Sequence, residues 1–381
     1  MAFREHKFLF ALATMVGTII GVGIFGIPFA LAGAGFSVGV FYLILLGGFV
    51  LFIHLAYLEI ILRTNEPHRL VGFAAKYLGR NAKKLATVVV LIEYYGSLLV
   101  YMIIGGEFLN LIFSRWLVVP DFFWSLLFFA LGASAIFLGL RTVAQSEFLM
   151  TAFLLLTMGI FIFKGLPQVD FQNLLTSDFS KFFLPYGIIL FSLAGSVAVP
   201  EVRQILRGEE HRIKKAVVWG TILPAVIYFI FAWIVVGVSG SQTSEEAIRG
   251  LVPFLGENII ILGSIFGILA IFTSFIVLGL NLRRVYQYDW CLKSFTAFFL
   301  VCAVPLVLFL AGLKNFILIV GFLGAVAGGL DSILTILIYL KAKKNGDRKP
   351  EFSLKRGKIW AGLAIALFLL GIIYQFVYLA G

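Results

Sequence analysis

An all-α polytopic membrane protein is the fold class this sequence predicts, and three observations predict it. Hydrophobic residues make up 61% of the 381 and charged residues only 13%, about half the charged share of a soluble domain. Apolar runs long enough to cross a bilayer recur along the whole chain. Two of these runs, five spans apart, are interrupted by glycine or proline near their middles, which points to two inverted halves around a midplane site.

In order, the apolar runs fall at 8–34, 37–62, 85–113, 122–140, 147–165, 183–202, 216–238, 258–282, 294–311, 315–340 and 359–379, which makes eleven spans. With the N-terminus in the cytoplasm, 25 of the 30 Lys and Arg fall on the cytoplasmic side and 5 outside. Basic loops stay inside, so the N-terminus is expected in the cytoplasm and the C-terminus outside, in the plasma (inner) membrane. The same placement accounts for the net charge of +11 without a nucleic-acid partner. The basic start, Met1 to Lys7, lacks a cleavage site before the first run and reads as leading into a retained span. Cys291 and Cys302 are too few for a disulfide framework. Residues 1–381 read as a single transmembrane domain with halves at 8–165 and 183–340 and an extra helix at 359–379.

Among the connections, 70–84 is amphipathic, with Val71, Phe73, Ala74, Tyr77 and Leu78 toward one face, and is expected on the inner membrane surface. The outer connections 166–181 and 239–257 are expected to cap an entrance, and 341–358 to be a solvated charge run.

The first span carries Gly17, Gly21, Gly23 and Gly26 and then Pro28. Glycine costs about 1 kcal/mol against alanine in a helix, and proline removes a donor, so the helix is expected to unwind between Gly17 and Gly23. In hydrocarbon, freed backbone groups are tolerated only against a cavity, a partner helix or a ligand. A glycine face for close helix packing is the alternative for this segment taken alone. The sixth span repeats the pattern, with Ser192, Ala194, Gly195 and Ser196 near mid-depth and Pro200 beyond. Five spans is an odd offset, so the two halves run in opposite directions across the membrane. Half-helix N-termini then offer N–H groups to an anionic ligand group and half-helix C-termini offer carbonyls to a cation. A secondary transporter is the reading that follows.

The run Gly17-Thr-Ile-Ile-Gly-Val-Gly-Ile-Phe-Gly-Ile-Pro28-Phe-Ala-Leu-Ala-Gly-Ala-Gly-Phe36 resembles the opening motif of the amino acid/auxin permease family and of the related bacterial aromatic amino acid permeases. Phe191-Ser-Leu-Ala-Gly-Ser-Val-Ala-Val-Pro-Glu-Val202 looks like their sixth-span motif. The resemblance implies the five-plus-five inverted-repeat transporter fold of the amino acid, polyamine and organocation superfamily, with broken helices 1 and 6 and an eleventh transmembrane helix. It implies a secondary active amino acid transporter driven by a coupling cation, with no other cofactor. By position, the amides of Val22 and Gly23, beside Gly21, should receive the substrate carboxylate. Groups around Thr18, Phe191, Ser192 and Ala194 should meet its ammonium and side chain. A sodium site of the wider fold maps onto Gly17 and Ile20 of the first span and onto Ala270, Thr273 and Ser274 of the eighth. Oxygen ligands suit such a hard cation, although Ser and Thr in membrane helices often bond back to the helix backbone. Sodium-independent members of the fold often place a lysine in the middle of the fifth span; Glu147 to Phe163 holds none, so the resemblance favours sodium, with a proton as the alternative.

Ionisable groups inside spans are costly. Asp331 in the tenth span and Glu93 in the third are therefore candidates for a proton carrier or for a gate contact. Tyr101 is a candidate to line the pocket. Glu59, Glu107, Glu201 and Arg203 sit near span ends, where snorkelling or an inner gate pair is expected. His54 is alone in the second span and His6, His68 and His211 lie in cytoplasmic segments, so no metal cluster is expected. Partners are a neutral, bulky or aromatic amino acid and membrane lipids, with no obligate protein partner evident. An amino acid sensor or channel of the same fold remains open. A polytopic membrane enzyme would need catalytic His, Asp or Ser groups clustered near one interface, which the sequence lacks.

Overall fold

The structure, a computed structural model, describes residues 7–139, 147–288 and 290–380. Arg141 and the first six residues of the charge count lie outside them. Eight described helices are long and apolar enough to cross a bilayer, and one bent pair makes a ninth crossing. Two shorter apolar helices, Leu155–Gln168 and Ser294–Leu310, occupy the fifth and ninth positions.

The first span is α1 (Lys7–Ile19) and α2 (Gly23–Ala34), which meet at 54°. Their junction follows from the glycines, because the Gly21 N–H turns to the Ile19 carbonyl at 2.9 Å and no regular turn passes through 20–22. Gly35, at φ 110°, reverses the chain into α3 (Phe36–Arg63), the second span. Next come α4 (Leu70–Leu78) and α5 (Arg80–Phe113), the third span. The amphipathic segment is thus shorter than expected: Gly79, at φ 92°, ends α4, and residues 80–84 start the long third span. The fourth and fifth spans are α6 (Asp121–Leu138) and α7 (Glu147–Gly165).

The sixth span is broken as the sequence predicts, into α8 (Leu184–Leu193) and α9 (Val199–Ile205) around an extended Ala194 and a single tight turn, Ser196–Ala198. The seventh to ninth spans are α10 (Ile213–Ser239), α11 (Glu257–Tyr288) and α12 (Ser294–Leu310). The tenth differs from a plain helix: α13 (Phe316–Phe322) passes through a π-helical segment, Leu323–Gly328, into α14 (Gly329–Asn345). The π segment lies where the backbone of α8 presses on it. A Cβ on Gly324 would fall 1.8 Å from the Gly187 carbonyl oxygen, and one on Gly187 would fall 2.2 Å from that of Gly321. The eleventh span, α15 (Gly357–Ala380), closes the chain.

Residues 341–358 correct a second expectation, because they are docked and not merely solvated. Glu59 of α3, fully buried, accepts from the Leu354 amide at 2.7 Å, the Ser353 hydroxyl at 2.9 Å and the Arg63 guanidinium at 2.9 Å. Asp347 takes the Lys76 ammonium of α4 at 2.6 Å and the Asn65 amide at 3.0 Å. On the opposite face the 166–181 connection seats on helix ends, with the Asp178 amide on the Ala34 carbonyl (3.2 Å) and the Asp170 amide on that of Gly237 (2.9 Å).

Candidate functional site: a cavity at the two helix breaks

The two interrupted spans lie side by side, with α8 packed against α2 and α10 against both halves of the first span. Glycine permits this approach, since a Cβ at Gly23 would fall 2.4 Å from the Ser192 hydroxyl and 2.8 Å from its Cα. Tyr228 of α10, completely buried, places its hydroxyl 2.7 Å from the Ile19 carbonyl oxygen and 3.0 Å from that of Ser192. One hydroxyl therefore serves the carbonyl ends of both half-helices, α1 and α8. The N-terminus of α2 points the other way. The amides of Val22 and Gly23 have no backbone acceptor among the described residues, as the first turn of any helix dictates.

These ends open onto a cavity of about 1380 Å³ that reaches the face bearing Glu66, His68, Lys76 and Arg284. On the other side the way is closed by aromatic rings, with Phe25 of α2 edge-on to Phe108 of α5 (4.9 Å) and to Phe231 of α10 (6.5 Å). Beyond them Arg249 pairs with Glu107 at 2.7 Å. A smaller hollow of about 350 Å³ lies outside that closure, beside Arg115 and Glu257.

The structure brings Thr18, Gly21, Val22 and Gly23 to the cavity wall with Tyr101 of α5 and with Phe191, Ser192 and Ala194 of the sixth span. A Cβ at Gly21 would meet the Tyr101 hydroxyl at 3.6 Å, so that ring covers the first break. The hydroxyls of Thr18 and Ser192 donate back to Thr14 (2.8 Å) and Ile188 (2.6 Å), leaving their lone pairs toward other groups.

Of the five residues matched to a cation site, Gly17 and Ser274 line the cavity, whereas Ile20, Ala270 and Thr273 do not. Thr273 and Ser274 both donate to the Ala270 carbonyl, at 2.9 and 3.0 Å, the back-bonding that membrane helices favour. Each hydroxyl oxygen retains the acceptor capacity that a hard cation uses. The fifth span, α7, packs against both α1 and α11 and lies beside the two parts of this set.

Glu93 of α5 and Asp331 of α14 line the same cavity, on helices that pack together. One turn beyond Asp331, the Thr335 hydroxyl is fully buried and without a hydrogen-bond partner among the described residues. The charged groups near span ends resolve separately. Arg69 bonds the Val197 carbonyl at 2.9 Å and pairs with Glu201 at 3.2 Å, tying the loop before α4 to the sixth-span break. Arg203 donates to the Ile61 carbonyl at 3.0 Å.

Sequence reasoning missed Tyr228 and a second contact. His54 of α3 lines the cavity, with Nδ1 2.8 Å from Thr221 Oγ1 of α10. The signal for His54 was its solitude in an apolar run. Tyr228 carried none, being one tyrosine among 13.

The model of the tryptophan/tyrosine permease family matches residues 4–377. The chain is 24% identical over 377 residues to tyrosine-specific transport system 1 of Haemophilus influenzae, covering 91% of this chain and 90% of that protein. It is 23% identical over 377 residues to glutamine transporter 2 of Aliivibrio fischeri, covering 94% and 96%. Among solved structures, MhsT in complex with L-phenylalanine superposes with a TM-score of 0.68 over 98% of both chains at 16% identity. That likeness shows the inverted-repeat transporter fold.

Proposed function

Because this chain belongs to the tryptophan/tyrosine permease family, a family of membrane transporters and not of enzymes, we propose that it moves a neutral amino acid by cation-coupled alternating access. The observation that carries the reading is the meeting of two half-helix ends of opposite polarity at one cavity wall. A zwitterion fits that polarity. Its carboxylate takes the free amides of Val22 and Gly23 at the positive end of α2. Its ammonium faces the carbonyl ends of α1 and α8.

The cavity reaches the face rich in Lys and Arg and is closed on the other by Phe25, Phe108 and Phe231. With the N-terminus in the cytoplasm of the plasma membrane, this is an inward-facing arrangement. The first, second, sixth and seventh spans rock against the rest to exchange the openings. Substrates of the size of tyrosine, glutamine or phenylalanine, named for the relatives and the structural neighbour, suit a site of this kind. Kinship with the wider amino acid/auxin permeases rests on the first-span motif.

For the coupling ion the sodium reading uses Gly17, Ile20, Ala270, Thr273 and Ser274. A proton reading uses Glu93 and Asp331, and the observation favouring it is that both carboxylates line the substrate cavity. The test is counterflow of labelled amino acids in proteoliposomes, repeated with sodium, potassium or choline and with an imposed pH gradient. Exchange with accumulation driven by one cation supports the proposal. Binding without exchange, or flux without counterflow, overturns it in favour of a sensor or a channel.

A further inference from the structure

His54 offers a chemistry that the backbone polarity of the site does not. Its side chain is 1% exposed, and among the described residues no carboxylate bonds or pairs with it. A buried imidazolium without a counter-charge is expensive, so the ring is neutral and carries one proton. Its neighbour fixes which nitrogen carries it. Thr221 Oγ1 lies 2.8 Å from the Val217 carbonyl oxygen, which only accepts, so the threonine proton is committed there. The 2.8 Å contact between Thr221 Oγ1 and His54 Nδ1 therefore has Nδ1–H as its donor. Nε2 is then a bare acceptor.

The ring edge faces the sixth-span break, because a Cβ at Gly195 would fall 3.5 Å from His54 Cε1, the carbon between the two nitrogens. The same Cβ would fall 2.3 Å from Ile19 Cγ1, so the first-span break is beside it as well. Nε2 has no hydrogen-bond partner among the described residues, and His54 lines the cavity. The hydroxyls of Thr18 and Ser192 likewise donate to backbone carbonyls, at 2.8 and 2.6 Å, so they too turn lone pairs toward the cavity, and the acceptor Nε2 stands among acceptors.

We propose that His54 Nε2 selects the substrate side chain: it accepts a hydrogen bond from amino acids ending in a phenol O–H, an indole N–H or a carboxamide N–H, and disfavours shape-matched apolar ones. The proposal rests on the reading that an amino acid binds at the two breaks. Filling such a site with an analogue that lacks the donor leaves Nε2 buried and unpaired, which is the strong form of discrimination.

The experiment is competition against counterflow by the full chain in proteoliposomes, with the matched pairs tyrosine and phenylalanine, and glutamine and methionine. Wild type should favour the donor-bearing member of the tighter pair about tenfold or more. His54→Phe should bring the ratio to within about twofold, while His54→Gln, which keeps an acceptor, should retain most of it. Thr221→Val, which unlocks the tautomer, should fall between, and it carries the test if His54→Phe does not fold. An unchanged ratio in His54→Phe or in Thr221→Val, or a wild type that exchanges both members equally, overturns the selector and leaves transport standing. A wild type that exchanges no amino acid overturns the transport reading, and the selector with it.

Discussion

The Tyr228 hydroxyl lies 2.7 Å from the Ile19 carbonyl oxygen, and so the seventh span holds the broken end of the first. The same hydroxyl lies 3.0 Å from the Ser192 carbonyl oxygen, so it spans the two half-helices whose ends form the site. Removing it leaves two buried carbonyls without this donor. Tyr228→Phe should destabilise the protein by about 1–3 kcal/mol, read as a lower melting temperature in detergent. It should weaken substrate binding further, since the carbonyl ends lose their fixed spacing. Unchanged stability and affinity would mean that the carbonyls find water or another donor.

Two neighbouring glycines separate steric from ligand effects. A Cβ at Gly23 would collide with the Ser192 backbone at 2.8 Å, whereas one at Gly21 would only touch the Tyr101 hydroxyl at 3.6 Å. Gly23→Ala should wedge the first and sixth spans apart and abolish uptake. Gly21→Ala, at a position between the two half-helices with room for a Cβ, should keep the fold and most of the uptake. Equal uptake by the two variants would contradict the close approach of the breaks.

A similar comparison tests the backbone contact between the sixth and tenth spans. Gly324 has the Gly187 carbonyl oxygen 1.8 Å from where its Cβ would lie, while a Cβ on Gly321 would meet nothing within 4 Å among the described residues. Gly324→Ala should lower the yield of folded protein and its melting temperature sharply, and Gly321→Ala should leave both near wild type. The π-helical Leu323–Gly328 is the feature at stake, because π turns tend to mark positions under functional constraint.

The residues that can be read from sequence are those whose local chemistry works alone. Gly17 to Gly23 announce an unwound segment because glycine and proline weaken a helix wherever they stand, and Ser192 to Ser196 announce its counterpart. The eleven span positions follow from hydropathy and length. Tyr228, the His54–Thr221 pair and the docking of residues 346–354 depend on which helices meet, and one-dimensional spacing does not encode that. The basic run 341–358 illustrates the limit: charge alone reads as solvation, yet Asp347 and the amide of Leu354 find Lys76 and Glu59 across the fold.

That docked tail makes a pH prediction. The Lys76 ammonium bonded to Asp347 holds its carboxyl below the usual 3.8, and the Asp347 carboxylate in turn raises the Lys76 ammonium above 10.5. A lowered carboxylate contributes stability that is full above its unfolded value and is lost as pH falls through the folded one. A raised ammonium contributes stability that is full below its unfolded value and is lost as pH rises through the folded one. The contact should therefore hold from about pH 4 to about pH 10. Limited trypsin cleavage after Arg348 should stay slow across pH 6 to 9 in wild type and become faster in Asp347→Asn. Cleavage of wild type that accelerates between pH 6 and 9 beyond the protease's own rate on an unfolded control peptide would contradict the pairing.

Exchange and accumulation respond differently to a coupling proton and a coupling sodium ion. Glu93 and Asp331 share the cavity wall with Thr18, Tyr101 and Ser192, and the Thr335 hydroxyl, one turn from Asp331, is buried and without a hydrogen-bond partner among the described residues. If a proton taken up there drives transport, Asp331→Asn and Glu93→Gln should retain counterflow, which needs only the substrate seat, and should lose accumulation under a pH gradient. Thr273→Ala should then change nothing. If sodium at the eighth span drives transport, the pattern inverts. Thr273→Ala should raise the sodium concentration for half-maximal uptake severalfold, because a lost oxygen ligand weakens a hard-cation site. Under that reading the two carboxylate variants should accumulate substrate normally. Each variant is neutral in the membrane or nearly isosteric, so insertion is not expected to distinguish them. The split between exchange and accumulation is therefore the decisive reading, since a variant that merely misfolds loses both.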